Sequence, residues 1–122
     1  MFEAARSGHP DIVKLLLASN ANIGAKDCNG LTPLHTAAQY GNKEVVKLLL
    51  ANKASPNATS DNGWTPLHLA AANGHSDVAA ILIAAGALVN AKAKDGMTPL
   101  HFAESTGQKD AAQFLRDHGG ME

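Results

Sequence analysis

Four residues recur in step along this 122-residue chain. "TPLH" stands at Thr32–His35, at Thr65–His68 and at Thr98–His101, 33 residues apart each time. Other positions keep the same register. Gly30, Gly63 and Gly96 precede the motif by two, Ala37, Ala70 and Ala103 follow its histidine by two, and Gly41, Gly74 and Gly107 close the segment after it. The first part of the chain joins in from Met1, with Ala4, Gly8, Leu16 and Ala21 standing where Ala37, Gly41, Leu49 and Ala54 stand one period later. A strict period of this length restricts the fold to stacked supersecondary units, each burying its apolar face on its neighbours.

Each unit reads alike. Thr32 can cap a helix with its hydroxyl, and Pro33 suits the first helical position, where its missing N–H costs nothing. The pattern predicts a helix over Leu34–Tyr40 that stops at Gly41, a residue free to take a left-handed cap. A second helix is expected over Lys43–Asn52, with Val45, Val46, Leu48 and Leu49 apolar. A polar stretch, Ser55–Gly63, then leads to the next motif. Helices this short are marginal alone, so stacking must hold them.

T-P-L-H-x-A-A at this period resembles the ankyrin repeat, over nearly the whole chain. The resemblance implies an all-α solenoid of helix-turn-helix units with β-hairpin-like turns projecting as a row of fingers. It is read as one domain, residues 1–122: a truncated first repeat (1–28), two full repeats (29–61 and 62–94) and a C-terminal capping repeat (95–122). Glu104 stands where Ala38 and Ala71 stand, and Arg116 where Leu50 and Ile83 stand, giving the last unit a polar outer face. The first unit lacks its turn and Thr-Pro start, so Met1–Ala5 is expected to fray. The bare start at Met1 and the short ending, Gly119–Glu122, suit an excised or engineered array, although the repeats are too unlike one another for a pure consensus design.

Composition excludes several functions. Apolar residues are 45% but aromatics only 4%, which fits helices packed through Ala, Leu, Val and Ile. The net charge of −1 supplies no basic excess for nucleic acid or anionic lipid. No apolar run approaches the roughly 20 residues of a membrane span, and the N-terminus does not read as a signal peptide. A single cysteine, Cys28, excludes an internal disulfide and points to a cytoplasmic or otherwise intracellular setting. Cys28 is expected to be exposed and unreactive.

The only tryptophan, Trp64, aligns with Leu31 and Met97, directly before the motif threonine. The family resemblance puts all three at finger tips, in one row, with units spaced about 10 Å apart. It puts Gln39, Tyr40 and the Tyr40 equivalents Asn73 and Thr106 at the end of the inner helix. Trp, Tyr and Met are enriched at protein interfaces. Leu31, Gln39, Tyr40, Trp64, Asn73, Met97 and Thr106 are therefore the candidate partner-binding residues. The plainer alternative is that tip side chains only pack on adjacent turns.

The histidines do not read as a site. One per repeat makes a ladder, too spread to share a zinc at about 2.0–2.1 Å. The resemblance gives His35, His68 and His101 a structural task, tying turn to helix and to the next unit. His9 and His75 read as helix-start residues, and His118 as a last-turn residue. Asp11, Asp77 and Asp110 share a first-turn position that complements the helix dipole. No nucleophile elbow, phosphate loop or zinc-protease motif occurs, so no catalytic residue, metal or cofactor is expected.

Together these features point to a non-enzymatic module that binds a protein, as a monomer rather than a homodimer, with neither nucleic acid nor membrane as partner. The alternative is a structural, self-assembling or engineered scaffold. It would associate through Ala80, Ala84, Ala85 and Leu88 on the convex face of the third unit, where other units carry polar residues. Lys53 departs from the pattern as well, because Gly86 and Gly119 hold its place after a helix.

Overall fold

Why do helices of six to nine residues persist here? The computed structural model, which describes residues 1–121, shows eight of them arranged in pairs. They are α1 (Phe2–Ser7), α2 (Pro10–Ala18), α3 (Pro33–Gln39), α4 (Lys43–Ala51), α5 (Pro66–Ala72), α6 (Ser76–Ala84), α7 (Pro99–Ser105) and α8 (Lys109–Asp117). No strand occurs among the described residues, and hairpin-like turns join the pairs. The odd-numbered helices pack in one row and the even-numbered in a second, each helix against its counterpart in the next unit. Leu34, Leu67, Leu49, Leu82 and Leu115 are almost wholly buried between them, with Val13, Val45, Val46 and Val78. Burial of this kind supplies what helix propensity cannot. Of the chain's end, Glu122 lies outside the described residues.

The motif sets the first helix of each pair. Thr32 is extended, with φ −93° and ψ 168°, and its Oγ1 accepts from the His35 backbone N–H at 3.4 Å. In return His35 Nδ1 accepts from the Thr32 N–H at 3.0 Å. Thr65 and His68 repeat this reciprocal cap. Helix α3 therefore starts at Pro33 and ends at Gln39, leaving Tyr40 as the C-cap rather than the last helical residue. Gly41 takes φ 70°, and the Asn42 N–H reaches back to the Ala37 carbonyl at 3.0 Å, a Schellman closure. A Cβ on Gly41 would also meet the His75 ring at 2.7 Å, so close packing as well as φ demands glycine. Helix α4 likewise ends one residue early, at Ala51.

Three sets of bonds cross from unit to unit. In the first, Nδ1 accepts from Thr32, so the second imidazole nitrogen of His35 carries the proton. Nε2 donates to the Trp64 carbonyl at 2.7 Å. His68 donates in the same way to the Met97 carbonyl at 2.9 Å. The structural task that the resemblance assigns to these two histidines is thus a specific one. His101 is exposed. In the second, the residue before each even-numbered helix turns backward. Asn42 Nδ2 donates to the carbonyls of Ala5 and Arg6 at 2.6 and 2.9 Å, and His75 Nε2 donates to the Gln39 carbonyl at 3.1 Å. His75 does precede a helix, yet its side chain makes no cap bond to it. In the third, Asn57 clasps the following unit, giving Nδ2–H to the Gly86 carbonyl and accepting the Leu88 N–H. Asn90 does the same with Gly119 and Met121.

The expected fraying of Met1–Ala5 is corrected. Helix α1 begins at Phe2, Ala4 is 6% exposed and Ala5 is fully buried. Packing on α3 and the two Asn42 bonds hold the segment, although Met1 supplies no side-chain cap. At the other end, Arg116 pairs with Glu104 on the polar outer face. Cys28 is exposed.

Two outcomes follow from this geometry. Lys53 has φ 73°, a left-handed conformation in which a side chain is strained. Lys53→Gly should stabilise the chain by about 1 kcal/mol, less the entropy glycine adds to the unfolded state; a urea titration measures it, and a lower midpoint would refute it. Burial holds the His35 and His68 imidazoles below their ordinary value of 6.5. Below pH 6.5 the unfolded chain binds protons that the folded chain refuses. Stability should therefore be complete above that pH and fall as the pH drops toward the folded values. Urea midpoints measured from about pH 7 to about pH 5 should decline, and a flat series would contradict the neutral histidine bridge.

Candidate functional site

Each finger tip is fixed from both sides before any side chain is considered. The Ser60 N–H donates to the Trp64 carbonyl at 2.9 Å, and the Trp64 N–H donates to Ser60 Oγ at 3.2 Å. The same carbonyl accepts from His35 of the preceding unit. In the finger before it, Asp27 Oδ1 accepts from the N–H groups of Asn29 and Leu31. Neighbouring tips then bond to one another: the Asp61 N–H donates to the Asn29 carbonyl and the Lys94 N–H to the Asn62 carbonyl, both at 3.0 Å. This approach is so close that a Cβ on Gly63, which has φ 77°, would meet the Lys94 backbone nitrogen at 2.9 Å. The fingers form one hydrogen-bonded comb.

Leu31, Trp64 and Met97 are each half-buried on that comb. Leu31 lines two clefts. One, about 340 Å³, lies between the first two units and is walled by Phe2, Arg6, Leu31, Gln39 and Tyr40 with the carboxylates of Glu3 and Asp27. Tyr40 is 50% exposed there. Arg6 is bonded to Glu3, and that hydrogen bond, then its charge, holds the Glu3 carboxyl below its usual value. The second cleft, about 260 Å³, runs between finger tips and is lined by Asn29, Leu31, Ser60, Asn62 and Trp64.

Four of the seven candidate residues thus adjoin: Leu31, Gln39, Tyr40 and Trp64. Met97 lies outside both clefts, one finger further on. Asn73 and Thr106 are exposed, and their side chains serve their own helix ends. Asn73 Nδ2 donates to the Leu69 carbonyl at 2.8 Å, and Thr106 Oγ1 donates to the Phe102 carbonyl at 2.8 Å.

Sequence reasoning missed Phe102. Its ring meets Trp64 edge-on, with centroids 5.7 Å apart at 82°, and meets His68 at 4.7 Å and 66°. The indole is therefore packed across units as well as partly exposed. The signal was present, since Phe102 occupies the register position of Thr36 and Leu69. Phe2 and Arg6 were missed too; Phe2 lies in the Met1–Ala5 segment expected to fray, and nothing in the repeat register singles out Arg6.

Ala80, Ala84, Ala85 and Leu88 all face solvent, and Leu88 is 62% exposed. No group of three or more His, Cys, Asp or Glu side chains is placed to hold a metal among the described residues. No helix among them is long and apolar enough to cross a membrane.

Comparison with known proteins agrees with the geometry. The family model described as ankyrin repeats in three copies matches residues 1–93 and again 54–122. A search of curated proteins finds no match. Repeats of this family are generally protein–protein interaction modules. With matches that span its whole length, the chain belongs to the ankyrin-repeat family.

Proposed function

We propose that the chain is a non-enzymatic module that binds a protein partner along its finger tips and the adjoining ends of the short helices. The observation that carries this is Leu31, shared by two contiguous clefts, one holding the exposed Tyr40 and the other Trp64. Aromatic side chains on a pinned backbone lose little freedom on binding, which favours affinity. Leu31, Gln39, Tyr40 and Trp64 form the centre of the contact, and Asn73, Met97 and Thr106 extend it toward the C-terminal end. A net charge of −1 suits a protein surface better than a phosphate backbone or an anionic bilayer. The exposed free thiol of Cys28 suits a reducing, intracellular compartment. The dilute monomer is the binding species.

A second reading rests on Leu88. Its exposure, continuous with Ala80, Ala84 and Ala85, offers a convex apolar patch for scaffold-like assembly. The two readings separate by mutation.

Stability comes first. A double-mutant cycle of Trp64→Ala and Phe102→Ala should give a coupling of about 0.5–1.5 kcal/mol in urea unfolding; no coupling would mean that the edge-on contact adds nothing. With the loss of fold stability known, affinity for a partner isolated by the wild-type chain from its native cell extract is measured by calorimetry. Trp64→Ala should weaken binding by more than about 2 kcal/mol, Tyr40→Ala by less, and Ala84→Glu not at all. Undiminished affinity in Trp64→Ala would overturn the proposal, and loss in Ala84→Glu alone would favour the convex patch.

A further inference from the structure

The first joint of the stack lacks a bond that the next two possess. The Trp64 carbonyl accepts the Ser60 N–H and the His35 imidazole, and the Met97 carbonyl accepts the Ala93 N–H and the His68 imidazole. The Leu31 carbonyl holds the same place in the first finger. Among the described residues it accepts the Asp27 N–H alone, at 2.9 Å. Phe2 stands at the register position of the two histidines, and its phenyl ring has no N–H to donate. A carbonyl oxygen has two lone pairs, so this one keeps an acceptor position open.

The three residues around that carbonyl, Phe2, Asp27 and Leu31, all line the cleft of about 340 Å³ between the first two units. The cleft is internal to a joint, because α1 supplies one wall and α3 the other. Acceptors dominate it. Asp27 Oδ1 takes the Asn29 and Leu31 N–H groups, and Oδ2 accepts no bond among the described residues. Two carboxylates, Glu3 and Asp27, face one cation, Arg6, which is already bonded to Glu3. The neighbouring lysine, Lys26, gives its Nζ to the Thr59 carbonyl in the next finger. Tyr40 and Phe2 add aromatic faces, and the Tyr40 side is half exposed.

We propose that this cleft receives an arginine side chain of the protein partner, its guanidinium donating to the Leu31 carbonyl and to Asp27 Oδ2 while its stem lies against Phe2 and Tyr40. The inference rests on the reading of this face as protein-binding, and it names what the partner presents there. A planar, always charged fork serves a carbonyl and a carboxylate together, and its weakly hydrated face stacks on aromatic rings. A lysine concentrates its donors at one strongly hydrated point and matches the spread of acceptors less well. An anionic group would meet two carboxylates and find Arg6 already paired. The incoming guanidinium completes at the first joint the bond that His35 and His68 make at the other two.

Heteronuclear NMR titrations of the full chain test this, with acetyl-arginine amide as the probe. Acetyl-citrulline amide, its neutral isostere, and acetyl-glutamate amide are the controls. The arginine amide should shift the backbone signals of Asp27, Leu31 and Tyr40 with a millimolar Kd, and citrulline should bind at least about fivefold more weakly. Asp27→Asn leaves Oδ1 for the Asn29 and Leu31 N–H groups and turns only the second oxygen into a donor, so the finger should keep its fold. It should weaken the arginine amide at least about fivefold. Absent shifts at these residues, equal binding of citrulline, a preference for glutamate, or undiminished binding in Asp27→Asn would each overturn the proposal. A partner isolated by the wild-type chain separates this inference from the reading beneath it. Affinity lost in Trp64→Ala but kept in Asp27→Asn would sink the arginine site and leave the protein-binding face standing. Arginine amide bound through Asp27, with partner affinity undiminished in Trp64→Ala, would do the reverse.

Discussion

Two of the three joints in the stack depend on the same imidazole bridge. His35 accepts a backbone N–H through Nδ1 and donates through Nε2 to a carbonyl 29 residues on, in the next finger. One side chain thereby closes its own helix cap and fixes the neighbour's tip. No other residue type offers an acceptor and a donor on opposite edges of a rigid ring while remaining neutral. The burial that makes the bond strong also keeps the ring neutral. The finger row, and with it the proposed binding surface, is held in place by this bond and its copy at His68.

Much of the architecture could be read from the residues alone. The motif threonine and proline fix where α3, α5 and α7 begin, because a cap and a first-turn proline are local devices that need no neighbour. The glycines that close these helices announce left-handed positions in the same way. The placement of Lys53 was legible from register, since glycine holds its place in two other units.

What escaped the sequence lies between units. Asn42, His75, Asn57 and Asn90 look like ordinary polar loop residues until the stacking places a carbonyl of another unit opposite each amide or ring. The order of α1 was misjudged for that reason: its support comes from Asn42, far along the chain, not from its own missing cap. The candidate site shows the same division. Trp64 and Leu31 were found because they share a register position. Phe102 is found only when the following unit is laid against Trp64. Asn73 and Thr106 share Tyr40's position but spend their polar groups on their own helix ends.

Among the described residues, the side-chain bonds that join two units span between 29 and 37 residues, about one period. Contact order is correspondingly low for a chain of this size, which predisposes it to fold quickly by zipping from whichever unit forms first. The same arithmetic decides how it comes apart. The two central units are bonded to a neighbour on each side, through Asn42 at one joint, His35 and His75 at the next and His68 at the last. The central pair, which carries Tyr40 and Trp64, is the last to melt.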